Sequence, residues 1–400
     1  MRRFVRPIEL DPEDVASFAD VLPDHDPRLD GGAEGVIPVC DTRLDGDELA
    51  YVTECVNSGW ISSAGPFVGR FEKAFAHSAG TDHAIACANG TVALHLVLAA
   101  LDVGPGDEVI VPAFTMTATA AAVAYTGATP VFVDVLPGSG NIDPTCVQRA
   151  ISPSTRAVIG VHVYGRPVNM DALEAAVDGH DIVIIEDAAE AHGATWAGRP
   201  VGSLGIAASF SFYANKIITT GEGGMITTND DDLAAVARTL RDHAFSPDRH
   251  FWHRYLGFNY RMTALQAAVG LAQVERLNEL VERKRALARR YSDGLRDLEL
   301  ILPEEGPEEK NVYWMFGVQV RPDAVVSRDD LRRRLAAGGI ETRTFFVPLH
   351  LQPVWRGIAG RCSRPVAEEL GATGLYLPSG PGLTDRQIER VIAGVRSALG

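Results

Sequence analysis

From about residue 70 the chain alternates short apolar runs with longer stretches whose apolar residues recur at helical spacing. The runs His83–Cys87, Glu108–Val111, Pro130–Asp134, Ala157–Val163, Ile182–Glu186, Ala207–Phe212 and Gly224–Thr227 read as strands. Between them, Thr91–Leu101, Met116–Tyr125 and Met170–Val177 read as helices. Strands that are apolar on both faces and separated by helices predict a mostly parallel sheet covered on each side.

The texture changes near residue 264. Ala264–Arg290 is rich in Ala, Leu, Arg and Glu at helical spacing and predicts one long helix. A strand at Trp314–Val320 and helices at Arg328–Ala337 and Asp385–Leu399 follow. Residues 1–36 are acidic and turn-rich. The expected organisation is an N-terminal extension over 1–36, a large domain over 37–270 and a smaller C-terminal α+β domain over 271–400.

Four hundred residues suffice for two packed domains, and 46% hydrophobic with 22% charged residues is ordinary for globular chains. A net charge of −15 argues against nucleic acid, which requires a basic face. It leaves room for a small anion, because one helix terminus outweighs the global field locally. The five cysteines (Cys40, Cys55, Cys87, Cys146, Cys362) lack zinc spacing and suit reduced thiols. The start is basic with no apolar segment behind it, and no apolar run is long enough for a membrane span, so the expected compartment is the cytoplasm.

The candidate chemistry lies where strands end. Lys216 stands in Ser209-Phe-Ser-Phe-Tyr-Ala-Asn-Lys216, before a glycine-rich turn, among small and apolar residues. An ammonium there loses charge on burial and becomes nucleophilic, or else its stem lies on the surface with its head in water. Asp187 ends the strand Ile182–Glu186, at the edge where open α/β sheets bind ligands. It is either the partner of a buried cation, such as a protonated pyridine nitrogen, or a helix N-cap. Asn89-Gly90-Thr91 falls between a strand and a helix, where free N–H groups face a phosphate; simple capping is the alternative for Thr91. Ser211 is a further phosphate donor or an inward-facing strand serine. Phe114 or Met116 either lies against an aromatic ring or packs in the core. Phosphate cradle, carboxylate and lysine, in that order, are the parts needed to hold pyridoxal 5′-phosphate.

With these parts in place the chain resembles the DegT/StrS nucleotide-sugar aminotransferases of fold-type I. The resemblance covers residues 37–400 and rests on several strings, among them Asn57-Ser-Gly-Trp-Ile-Ser-Ser63, Asn89-Gly-Thr91, Pro105-Gly-Asp-Glu-Val109 and Glu186-Asp-Ala-Ala-Glu-Ala-His-Gly193. Ser209–Gly224, Gly257-Phe-Asn-Tyr-Arg-Met-Thr263 and Val347-Pro-Leu-His350 complete the set. It implies an aspartate-aminotransferase-like fold with a mostly parallel seven-stranded sheet and a smaller C-terminal domain. It also implies that Lys216 joins the cofactor aldehyde, that Asp187 pairs with the ring nitrogen, and that Gly90, Thr91 and Ser211 hold the phosphate. Asn259, with Arg261 second, is expected to reach the phosphate of a neighbouring subunit, which makes the active unit a homodimer with shared sites. His350 and Arg343 are expected near the sugar or the amino donor, while Trp60 and Tyr313-Trp314 either line the sugar site or pack between the domains.

Two positions depart from the family pattern. Glu190 stands where glutamine is frequent, and Met116 where an aromatic residue is frequent. Glu-Asp-Ala-Ala-Glu-Ala and the lysine string resemble the sugar 4-aminotransferase subgroup that includes the perosamine synthases. The implied reaction moves an amino group from L-glutamate to a nucleotide-linked 4-keto-6-deoxyhexose, passing through pyridoxamine 5′-phosphate. The alternatives are a 3-aminotransferase, a sugar dehydratase using the same cofactor (disfavoured because Lys216 is present where those enzymes carry histidine), and a non-catalytic sugar-binding regulator. Arg249-His-Phe-Trp-His-Arg254 either meets a nucleotide diphosphate or is a solvated loop.

Overall fold

A computed structural model describes residues 35–246, 248–249, 251–358 and 363–400, so nearly all of the predicted N-terminal extension and Cys362 lie outside the described residues. In chain order the first half comprises α1 (Glu48–Ser58), α2 (Pro66–Ala79), β1 (His83–Cys87), α3 (Gly90–Ala100), β2 (Glu108–Pro112), α4 (Thr117–Thr126), β3 (Thr129–Val133), α5 (Pro144–Ala150), β4 (Thr155–Val161) and α6 (Met170–Val177). Next come β5 (Val183–Asp187), the short β6 (Thr195–Trp196) and β7 (Arg199–Pro200), β8 (Ala207–Ser211), β9 (Gly224–Thr228) and α7 (Asp231–Arg241). The remainder is α8 (Ala264–Glu275), α9 (Leu277–Leu295), β10 (Leu300–Ile301), β11 (Glu309–Lys310), β12 (Phe316–Val320), α10 (Arg328–Ala337), β13 (Arg343–Thr344), α11 (Pro365–Thr373), β14 (Gly374–Leu377) and α12 (Asp385–Leu399).

The seven-stranded sheet has the order β1-β9-β8-β5-β4-β2-β3. The ladders β2–β3, β2–β4, β4–β5 and β5–β8 are parallel, whereas β9 runs antiparallel to both β1 and β8. The central strands are buried on both faces, which is why their sequences read as unbroken apolar runs rather than alternating ones. Each predicted strand of this sheet is present, with ends shifted by a residue or two.

A second sheet, β10-β12-β14-β13, packs with α9, α10 and α12 around Tyr291, Phe316, Leu331, Leu375 and Val391. Ile37 joins this second core through a bridge to Ile340, although it precedes the first helix in sequence. Conversely, Val312, Trp314, Met315, Phe345 and Leu349 belong to the core around the large sheet. The two layers therefore interlock through crossing segments.

The single helix expected over Ala264–Arg290 is two helices. The chain leaves helical geometry at Arg276 (φ −110°, ψ 8°), whose guanidinium bonds Asp45 at 2.6 Å and Glu279 at 3.0 Å. The bend has a packing reason. Helix α8 buries Ala264, Ala267, Ala268 and Leu271 against the first core, while α9 ends with Leu287, Ala288, Tyr291 and Leu295 in the second. Alanine–leucine periodicity continues smoothly across the break, so the pattern alone does not reveal it. The expected strand at Trp314–Val320 likewise starts later, at Phe316, because Trp314 and Met315 turn into the first core.

Candidate active site

The parallel strands end on one edge of the sheet, and a cavity of about 630 Å³ opens there. That volume suits a small organic ligand. Its lining includes Gly90, Thr91, Met116, Asp187, Glu190, Ser211 and Lys216. Residues spread over more than a hundred positions thus meet because their strands share a direction.

The cradle is built first by the backbone. Asn89 caps α3, its side chain accepting from Val92 N–H at 3.0 Å. Capping therefore falls to Asn89 and leaves the Thr91 hydroxyl free of that duty. Gly90 must be glycine for reasons of space: a Cβ there would lie 2.9 Å from the Cβ of Ser211. The Ser209 hydroxyl donates to Gly90 carbonyl at 3.0 Å, tying β8 to the start of α3. From the other side Gly224 presses on the same turn, where an added Cβ would lie 2.2 Å from the Asn89 carbonyl oxygen. Gly224→Ala is expected to cost about 2–3 kcal/mol in chemical denaturation, since the obstacle is backbone and cannot swing away.

Asp187 closes β5 and is 5% exposed. Its carboxylate accepts from the Thr119 hydroxyl at 2.7 Å and from Ala189 N–H at 3.2 Å. Burial raises its pKa, and these bonds together with the Lys216 charge only partly offset that. No helix starts at Asp187, so the bond to Ala189 is a local turn contact rather than a helix cap. Its neighbour Glu186 is anchored differently. Burial alone raises the Glu186 pKa, but His162 and the N–H groups of Gly202 and Gly205 bring it below the usual carboxylate value. The His162 Nδ1 accepts from Val168 N–H at 2.9 Å, so its Nε2 carries the hydrogen shared with Glu186 at 3.1 Å. This pair, 0% exposed on both sides, fixes the strand end on which Asp187 sits.

Lys216 is 10% exposed, with its Nζ 3.9 Å from Glu190 Oε1 and 3.8 Å from the centroid of the Trp314 ring. Burial lowers its pKa, while Glu190, Asp187 and Cys40 pull the other way. Trp314 is itself anchored, its indole N–H donating to the Asn215 carbonyl at 2.8 Å. The buried Lys284 donates to the Trp314 carbonyl at 2.7 Å and to that of Ser379. Glu190 accepts from Tyr164 N–H at 2.7 Å, and its pKa is pushed up to about 7 by burial.

The sequence-based expectations divide here. Lys216, Asp187, Gly90, Thr91, Ser211, Glu190 and Met116 converge on the cavity. Phe114 does not; it is buried against Tyr164, Phe345 and Phe346, so core packing is its role. Asn259, Arg261, Trp60, His350 and Arg343 do not line the cavity of this chain. Asn259 is exposed, Arg261 pairs with Asp242, and Trp60 is 55% exposed. His350 lies in the turn Leu349–Leu351, bonded to Glu368 at 3.0 Å, and Arg343 bonds Glu341 at 2.6 Å beside the cavity-lining Tyr376.

Thr119, Tyr164, Tyr213, Phe346 and Tyr376 were not anticipated. Thr119 had a legible signal, since it follows the strand-end turn of β2 one helical step after Thr115, with which it shares a hydroxyl contact at 3.3 Å. Tyr213 stands within the lysine string itself, three residues before Lys216, whereas Tyr164, Phe346 and Tyr376 come from elements distant in sequence and carried none. Among the described residues no group of His, Cys, Asp or Glu side chains could hold a metal ion.

These residues fit pyridoxal phosphate. The glycine-shaped cradle at the N-terminus of α3 offers N–H groups to a phosphate. Asp187, buried with no ion-paired cation among the described residues, suits a protonated ring nitrogen, and Lys216, whose pKa burial lowers, suits an aldehyde.

Behind the site, His192 is fully buried among Phe75, Phe210 and Phe212. Burial, with a smaller effect from the Lys216 charge, depresses its pKa to about 3. The unfolded chain takes up this proton near pH 6.5, whereas the folded one resists until about pH 3. The stability contributed by neutral His192 is therefore intact above pH 6.5 and is lost progressively as pH falls below it. His192→Leu is expected to gain on the wild type by up to about 1.4 kcal/mol per pH unit between 6.5 and 4, measured by denaturation at several pH values.

A family model described as the DegT/DnrJ/EryC1/StrS aminotransferase family matches residues 42–396. The GDP-perosamine synthase of Caulobacter vibrioides is 47% identical over 365 residues, covering 91% of this chain and 98% of that protein. The crystal structure of S. venezuelae DesV superposes with a TM-score of 0.85 at 40% identity, covering 90% of this chain and 98% of that one. The putative sugar aminotransferase Spr1654 of Streptococcus pneumoniae in its PLP form gives a TM-score of 0.86 at 26% identity, over 91% of this chain and 98% of that one.

Proposed function

The chain belongs to the DegT/DnrJ/EryC1/StrS aminotransferase family and is a pyridoxal-phosphate-dependent sugar aminotransferase, and from that premise we propose that it aminates C4 of a GDP-linked 4-keto-6-deoxyhexose with L-glutamate as donor. The 47% identity to a GDP-perosamine synthase across nearly the whole chain carries this choice of nucleotide and position.

Pyridoxal phosphate, when bound, supplies an electron-withdrawing ring that lets an amino acid and a ketone exchange nitrogen. The residues around it have separable tasks in this reading. The N–H groups of Gly90 and Thr91, with the hydroxyls of Thr91 and Ser211, bind the phosphate. Asp187, oriented by Thr119, keeps a proton on the ring nitrogen, and the low polarity around it strengthens that pairing. Lys216 Nζ would take the α-proton of glutamate and return it two atoms along, on the far side of the transferred nitrogen, acting first as base and then as acid. A lysine at its ordinary pKa would hold its proton too firmly; burial corrects this. Trp314 lies over the amine and keeps water from it.

The proposed active unit is a cytoplasmic homodimer with shared sites, and the proposed division is a cofactor-binding domain over 37–270 and a small domain over 271–400. Met116, Tyr125 and Tyr213 line the cavity yet are 52%, 64% and 49% exposed, and Trp252, Tyr255 and Leu256 add 51%, 67% and 91%. Three exposed large apolar groups at the opening, and three more on the 252–256 segment, call for a cover. A second copy, bringing the Gly257–Thr263 segment with Asn259 and Arg261 to the cradle, is the proposed one. The proposed positions of Trp60, His350 and Arg343 are at the sugar end of the completed site. No helix among the described residues is long and apolar enough to cross a membrane.

The test is spectroscopic. The purified protein should absorb in the visible, lose that band on addition of L-glutamate, and regain it with a GDP-linked 4-keto-6-deoxyhexose. Recovery only with a 3-keto sugar nucleotide would reject the C4 assignment, and a colourless protein that takes up no pyridoxal phosphate would reject the whole reading.

A further inference from the structure

Glu190 lines the cavity beside Lys216 and can carry charge. Its surroundings are built around that charge. The side chain is 5% exposed, one oxygen accepts from Tyr164 N–H at 2.7 Å, and the other lies 3.9 Å from Lys216 Nζ. Tyr164 presents its N–H from a left-handed backbone (φ 54°, ψ 18°), a conformation that costs a non-glycine residue about 1 kcal/mol or more. Lys216 is the cation within ion-pair distance of Glu190 among the described residues.

The titratable groups around the pair are few. Asp187 faces Glu190 from the end of β5 and disfavours its charge, while Lys216 favours it. Tyr164, whose N–H binds Glu190, keeps a neutral hydroxyl, its pKa being raised chiefly by burial and further by Tyr376. Around Lys216 lie His192, held neutral by burial, and Cys40, whose pKa is also raised by burial. His162 acts on Asp187.

We propose that Glu190 and Lys216 share one transferable proton: when the Lys216 amine loses its positive charge on covalent engagement, Glu190 Oε1 takes up a proton, and the pair remains neutral. The step is a proton transfer from Nζ to Oε1 across the 3.9 Å gap, directly or through one water, with no net exchange with solvent. Without it, engagement of Lys216 would leave the buried Glu190 carboxylate without its cation, at a cost that neutralisation avoids. Because burial already holds the Glu190 pKa at about 7 with Lys216 charged, loss of that neighbouring charge moves it further up.

This inference rests on the reading of Lys216 as the covalent lysine, and the experiment separates the two. Full-length protein, loaded with pyridoxal phosphate or stripped of it, is compared at pH 8 by infrared spectroscopy, with Glu190→Gln subtracted from wild type. The protonated-carboxyl band of Glu190 should be at least about fivefold stronger in the loaded form, since one unit of pKa is a tenfold change in equilibrium. Should Glu190→Gln fail to fold, the loaded-minus-stripped spectrum of the wild type alone carries the same band. Equal intensity in both forms, or no band, overturns the proposal. Borohydride reduction and peptide mapping of the same samples distinguish the failures. A pyridoxyl label on Lys216 without the band rejects proton sharing alone. Label elsewhere rejects the assignment of Lys216, and this inference with it.

Discussion

Replacing Lys216 with alanine is expected to lower kcat by at least about 10⁴-fold while leaving the fold intact. General acid–base catalysis alone accounts for about 10²–10⁴, and the covalent attachment point disappears with the same substitution. The structural cost is small by comparison. Removing a buried amine relieves desolvation, and the Trp314 indole keeps its bond to Asn215. Glu190 is left without its cation and protonates, for the reason given above. Steady-state assays of amino transfer from glutamate, with circular dichroism as the control for folding, decide the matter. Turnover within tenfold of the wild type would remove Lys216 from the chemistry.

Asp187→Ala and Asp187→Asn are both expected to reduce kcat by about 10³-fold, roughly 4 kcal/mol of transition-state stabilisation. The asparagine variant is the sharper instrument. Its Oδ1 can still accept the Ala189 N–H while its amide N–H donates to the Thr119 hydroxyl, so it preserves local structure and removes only the negative charge. Loss of activity in both variants at unchanged melting temperature assigns Asp187 to the cofactor ring. Because burial already raises the Asp187 pKa, neither variant should be markedly less stable than the wild type. An asparagine variant that keeps full activity would mean that the carboxylate serves the turn and not the chemistry.

Much of this architecture was legible in the sequence because the physical signal was local. Strands buried on both faces announce themselves as apolar runs, and all members of the large sheet did so. The lysine string and the Asn89-Gly90-Thr91 turn were recognisable because each lies within a few residues of a strand end. What escaped had a non-local cause. The bend at Arg276 depends on where two separate cores sit, and helical periodicity is blind to that. Trp314 was ambiguous between sugar contact and packing; the geometry gives it a third position, against the lysine amine. Phe346 and Tyr376 reach the cavity, and Tyr164 reaches Glu190 behind it, from segments that only the finished fold brings together. His350 matched a familiar string, yet in this chain it is turned toward Glu368.

The reversed course of β9 has a mechanical corollary. It threads between the outermost strand β1 and the strand that leads to Lys216, and its first residue, Gly224, clamps the Asn89 turn from behind. A phosphate seated in that turn would therefore rivet the margin of the sheet to its interior, so fraying at the rim and escape of the coenzyme become the same event.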